Sequence, residues 1–204
     1  MVEHGSNNGH ADAKAKGGPL EPDWIRELGF ACRQYVWSKL KVELDGTPET
    51  LPLLDHYVSL IRADLQQGPH AEPLVTRAVA AYFGTVLAMA IDGFWKVSSQ
   101  SDEQSWWICS RPVYLALNPV AVAYDVIAAT TDHSGPVSEL QLDRLERDYI
   151  LERLGRLPQL SEEEYFTFSA RHEAVDIAVA ALRERRHETA ATQLSFTAAD
   201  YSTL

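Results

Sequence analysis

Between Arg77 and Asp92 the chain runs for 14 residues, positions 78–91, without a charge. A stretch this apolar has to leave water, and its length suggests where it goes. A membrane-spanning helix takes about 20 predominantly apolar residues. The shorter run is therefore expected to be a helix buried on most sides inside a protein core. Ala80, Gly84 and Ala88 recur every four residues along it, a line of small side chains that lets a neighbouring backbone come close. A chain of 204 residues can supply the rest of such a core, since a protein of this size buries roughly 70% of its unfolded surface.

Helical periodicity recurs on both sides of the run. Ile25, Leu28, Cys32, Val36 and Leu40 follow Asp23, a candidate cap, at three- and four-residue spacing and predict a helix to about Val42. After the Asp45-Gly46-Thr47-Pro48 turn, Leu54, Tyr57, Val58, Ile61 and Leu65 predict a second helix. Gly93 should end the apolar helix. Three short aromatic and β-branched segments, 94–98, 106–109 and 113–117, then predict an antiparallel meander. Asn118-Pro119 offers a cap and a first-turn proline for another helix. Ser138 with Gln141, and Ser161 with Glu164, have capping-box spacing and predict two more helix starts. The second of these helices is expected to run to about His187 with a break near Phe168. The fold class expected is α+β and mostly helical, with helices flanking a small three-stranded antiparallel meander.

Residues 1–22 are rich in Gly, Pro, Ser and Asn and hold almost no large apolar side chain. They read as a flexible tail, with no apolar h-region of a secretory signal. Residues 23–187 read as one globular domain and 188–204 as a segment that is either loose or docked in extended form. The formal net charge is −11, from 29 acidic and 18 basic residues. Nearly all of that excess lies outside the tail, and it argues against nucleic-acid and anionic-membrane partners. With two cysteines there is no disulfide scaffold. The location expected is cytoplasmic.

No stretch of sequence names a reaction. Neither a glycine-rich phosphate loop nor a nucleophile elbow is present. Asp55 and His56 are adjacent on a helix and point about 100° apart, so they cannot pair with each other. His172 and Asp176 share a helix face, but a zinc site needs a further motif. Glu162, Glu163 and Glu164 suit a first helical turn. Cys32 and Cys109 read as small buried hydrophobes, and Arg183, Arg185, Arg186 and His187 as the basic end of the last helix. No catalytic residue, metal or cofactor is assigned.

The aromatic residues of the meander stand out instead. Trp95, Trp106, Trp107 and Tyr114 concentrate there with Phe94. Alternation along a strand puts Trp106 and Trp107 on opposite faces. One can face the helices; the other faces solvent, a terminal segment or a partner. Aromatic side chains anchor interfaces, so Trp95, Trp106, Trp107 and Tyr114 are the candidate binding residues.

Ala81-Tyr82-Phe83-Gly84, then Gly93-Phe94-Trp95, then Asn118-Pro119 resemble a pattern of uncharacterised bacterial helix–hairpin–helix domains, some of them similar to toxin-immunity proteins. The resemblance covers roughly residues 73–130. Thr85 stands where that pattern has Glu, so any role of that acid is missing here. What the resemblance implies is a bacterial interaction module.

The function expected is therefore a non-catalytic protein-binding module, with a partner that carries a basic surface to meet the acidic body. The alternative is an enzyme whose residues meet only in three dimensions, drawn from Asp55, His56, Asp92, His172 and Asp176, or a small-ligand protein with an apolar cavity beside the meander.

Overall fold

The computed structural model describes residues 21–68, 70–133, 135–188 and 195–204. The expected tail, except Glu21 and Pro22, lies outside the described residues. Seven α-helices and one four-stranded antiparallel sheet make an α+β, mostly helical fold among the described residues.

The uncharged run forms the centre of helix α3 (Glu72–Ala90). With its first turn included, α3 has 19 residues and is long and apolar enough to cross a membrane by length and composition, so length alone does not decide its place. Packing accounts for its character: it lies against α1 (Asp23–Leu40) and α4 (Pro119–Ala128), and Ala78 through Gly84 are all buried. The line of small residues admits an indole and a helix start. A Cβ added at Gly84 would come within 2.5 Å of the Trp95 ring edge and 3.1 Å of Pro119. α2 (Leu51–Gln67) and α7 (Phe168–Glu188) complete the helical layer, and Asn118 caps α4 as expected, accepting from the backbone N–H groups of Val120 and Ala121.

Several boundaries differ from expectation, each for a local reason. α3 stops before Gly93. Asp92 takes the left-handed turn at φ +52, while Gly93 opens β1 (Gly93–Lys96), where a Cβ would meet the Cys109 carbonyl at 2.9 Å. Asp23 sits in the first turn of α1 rather than capping it. Ser138 starts no helix, because its hydroxyl is drawn to Asp125; α5 (Arg144–Gly155) is capped by Asp143 instead. Ser161 and Glu164 do form a capping box, on the one-turn α6 (Glu162–Tyr165), and α7 begins three residues later.

The sheet gains a strand over the expected three. β2 (Trp107–Ser110), β3 (Leu115–Leu117) and the two-residue β4 (Gln141–Leu142) follow β1 in spatial order, with Trp95 opposite Ile108, Cys109 opposite Ala116 and Ala116 opposite Gln141. Alternation divides the sheet cleanly. Trp95, Ile108, Leu115 and Leu117 join the main core; Phe94, Cys109 and Ala116 face the other way.

That other face is covered by the chain itself. Residues 195–204 of that terminal segment pack on it through the fully buried Tyr201, with Phe196, Ala198 and Leu204 around it. The Tyr201 hydroxyl accepts from the Leu115 N–H at 3.2 Å and donates toward the Ser110 carbonyl at 2.6 Å. Arg111 O accepts from the Phe196 N–H at 2.8 Å, and Lys96 Nζ donates to the Leu204 carbonyl, also at 2.8 Å. The Tyr201→Phe variant leaves a buried N–H and C=O without their partner. It is expected to lose about 1–3 kcal/mol in urea unfolding, with the native fold retained.

Candidate binding cleft

The four aromatic residues singled out by sequence do not form an exposed surface. Trp106 is fully buried, and its ring centroid lies 4.7 Å from that of Trp24 and 6.4 Å from that of Trp95. Its indole N–H donates to the Ser99 carbonyl. Trp95 is also buried. Trp107 and Tyr114 are half-buried on the outer face, where Tyr114 stacks on Tyr201 at 4.7 Å. The expected docking surface is corrected accordingly: two of its residues fill the core, and residues 195–204 cover the other two.

The residues considered for an enzyme are not gathered either. Asp55 caps α7 from another helix. Its carboxylate accepts from the backbone N–H groups of Phe168 and Ser169 and from the Ser169 hydroxyl, at 2.6, 3.2 and 2.6 Å. Burial raises its pKa, and these hydrogen bonds oppose the rise. His56 is exposed, and Asp92 pairs with Arg111 at the turn before β1. Cys32 and Cys109 are buried, and burial pushes both thiols up, Cys109 to about 12. The basic end of α7 is engaged: Arg185 pairs with Glu146, and Arg186 donates to the Pro112 carbonyl.

His172 has a measurable consequence of its own. Burial lowers its pKa below the ordinary 6.5, against the opposing pull of Asp176, Glu49 and Glu173. The unfolded chain therefore binds a proton near pH 6.5 that the native state takes up only at lower pH, and stability falls as pH drops through that window. The His172→Gln variant is expected to show a smaller loss of urea midpoint between pH 7 and 5 than the parent.

A concave feature among the described residues lies elsewhere. A cleft of about 1200 Å³ opens between the 131–142 segment, α5, the 155–160 loop and α7. Leu117 of β3 and Leu142 of β4 line its sheet side, so it is an apolar cavity beside the meander. Its walls are chiefly Val137, Leu140, Ile150, Leu151, Leu154, Leu157 and Leu160, with Ala170, Ala174 and Val175 on α7. Many of these side chains remain in water. Among the described residues 11 large hydrophobic side chains are exposed; six fall between Val137 and Tyr165, and five of those line the cleft. Single exposed leucines are normal, but a contiguous patch marks an interaction site.

One polar cluster holds the cleft together. Asp125, buried on α4, accepts from His133 Nε2 at 2.7 Å, from the Ser138 hydroxyl at 2.5 Å and from Arg171 Nη2 at 3.0 Å. The His133 Nδ1 accepts from the Gly135 N–H, which makes Nε2 the protonated nitrogen of a neutral ring. Arg171 also donates to the Tyr165 hydroxyl and lies over its ring. One carboxylate thus ties α4, the cleft's upper loop, α6 and α7. The members resemble a hydrolytic triad in kind but not in order. Ser138 bonds to the acid rather than the imidazole, and the second imidazole nitrogen is spent on backbone, so no nucleophile–base pair exists in the cluster. Its role is to brace a binding surface.

Helical periodicity pointed to neither the cluster nor the patch, although two signals were present. Asp125 is the one charge in α4, and Leu145 and Leu151 on α5, followed by Leu157 and Leu160 just beyond it, exceed what one buried stripe on a short helix can use. Compared with known protein families, curated proteins and solved structures, the chain matches none.

Proposed function

We propose that this chain is a non-catalytic binding protein and that the leucine-lined cleft is its binding surface. The reading rests above all on the concentration of exposed apolar side chains around one braced cleft among the described residues. Walls of this kind, with a few fixed polar groups, are the usual form of a recognition site. The acidic body suits a partner with a basic surface. The immunity-type role implied by the resemblance is one form of this reading, with a toxin as the captured protein.

The test uses a neutral apolar dye, N-phenyl-1-naphthylamine, whose emission rises in apolar surroundings. The native chain is expected to bind it. The Leu151→Glu, Leu160→Glu double variant alters two half-exposed side chains; it should bind the dye about tenfold more weakly, with a melting temperature within a few degrees of the parent. Dye binding that is absent in the parent, or unchanged in the double variant, would place the binding surface elsewhere.

A further inference from the structure

We infer that the occupant of the cleft is a basic amphipathic helix of a partner protein, an inference that rests on the binding role proposed above. Three observations combine. The first is charge. Residues 139–173 carry nine acidic and five basic side chains. Of the charged groups lining the cleft, Arg171 is balanced by Asp125 and Arg147 by Glu139, which leaves Glu173. Glu162, Glu163 and Glu164 stand exposed on α6, between the lining residues Leu160 and Tyr165. A cation-bearing occupant meets complementary charge, and an anionic one meets repulsion.

The second observation is backbone chemistry. An extended peptide in an apolar groove needs a sheet edge to satisfy its N–H and C=O groups. The edge on this side is β4, two residues long. It pairs too little backbone to hold a strand, so the occupant has to satisfy its own hydrogen bonds, as a helix does.

The third is shape. Ala170 and Ala174 are four apart on α7 and line the cleft, so a helix axis can come close there. Leu151, Leu154, Leu157 and Leu160 stand around it as apolar contacts. A helix about 10 Å across occupies on the order of 120 Å³ per residue, so the cleft accommodates about ten residues, or three turns.

Displacement of N-phenyl-1-naphthylamine from the full chain tests this with three peptides of equal length. One is a Leu/Lys amphipathic helix, the second has Glu at every Lys position, and the third is the Lys peptide with two central prolines. The Lys helix is expected to displace the dye at concentrations at least about tenfold below the other two, less effectively at high salt. The Glu162→Lys, Glu163→Lys double variant, at exposed positions outside the lining, should weaken the Lys helix about tenfold while dye binding stays unchanged. Equal displacement by the Glu peptide or by the proline-broken peptide overturns the inference. So does displacement by dodecylamine but by none of the peptides, which would assign the site to a small cationic amphiphile. A dimer seen by light scattering whose formation excludes the dye would assign it to a second copy. If the dye binds and no peptide competes, the helix inference falls while the binding role stands; if the dye does not bind, the binding role itself falls.

Discussion

The Asp125→Ala variant is expected to lose about 3 kcal/mol of stability, read as a lowered urea midpoint with an unchanged slope. The carboxylate is buried and accepts three side-chain hydrogen bonds. Removing it leaves the guanidinium of Arg171, whose side chain is only 16% exposed, without its counter-charge. Breaking such a pair from one side costs more than the pair itself contributes, because the surviving charge stays desolvated. His133 and Ser138 lose their acceptor at the same time, so the segment forming the upper wall of the cleft loses its tie to α4. Weaker binding of the apolar dye should accompany the lost stability. Asp125→Asn keeps the shape and two acceptor sites and is expected to cost less. Equal stability of parent and alanine variant would mean that the cluster is not a brace.

The Trp106→Ala variant is expected to cost about 3–5 kcal/mol, the range for removing a large aromatic side chain from a packed core. The indole is fully buried between Trp24 and Trp95, and its N–H satisfies the Ser99 carbonyl. Alanine leaves a cavity that the flanking indoles, packed tilted and edge-on, cannot easily refill, together with an orphaned acceptor. Calorimetric unfolding checks this. Were Trp106 instead part of a docking surface, the substitution would leave the melting temperature nearly unchanged.

The two tryptophans show what could be read from the chain and what could not. Alternation correctly separates neighbouring residues onto opposite faces of a strand, but it does not say what lies against each face. Trp106 is covered by Trp24 of α1, about eighty residues earlier in the chain, and Trp107 is screened by a segment about ninety residues further on. That cover was invisible because Phe196, Ala198 and Tyr201 carry no periodicity of their own. The helices around the core were legible because their apolar spacing is local. The cap at Asn118 and the box at Ser161 were legible too, being four-residue chemistry. Ser138 shows the limit of such local rules: the same spacing is present, but a buried carboxylate 13 residues earlier in the chain competes for the hydroxyl and wins. The cleft depends entirely on pairings of this long-range kind.

The Tyr201 anchor also dictates an order of events at the ribosome. Its hydroxyl bonds to backbone groups 86 to 91 residues earlier in the chain. Synthesis runs from the N-terminus at about 5–20 residues per second, so the hairpin is made several seconds before its cover. During that interval Trp107 and Tyr114 stand bare on a strand pair, which makes this hairpin the place where a nascent chain would cling to its neighbours or recruit a chaperone.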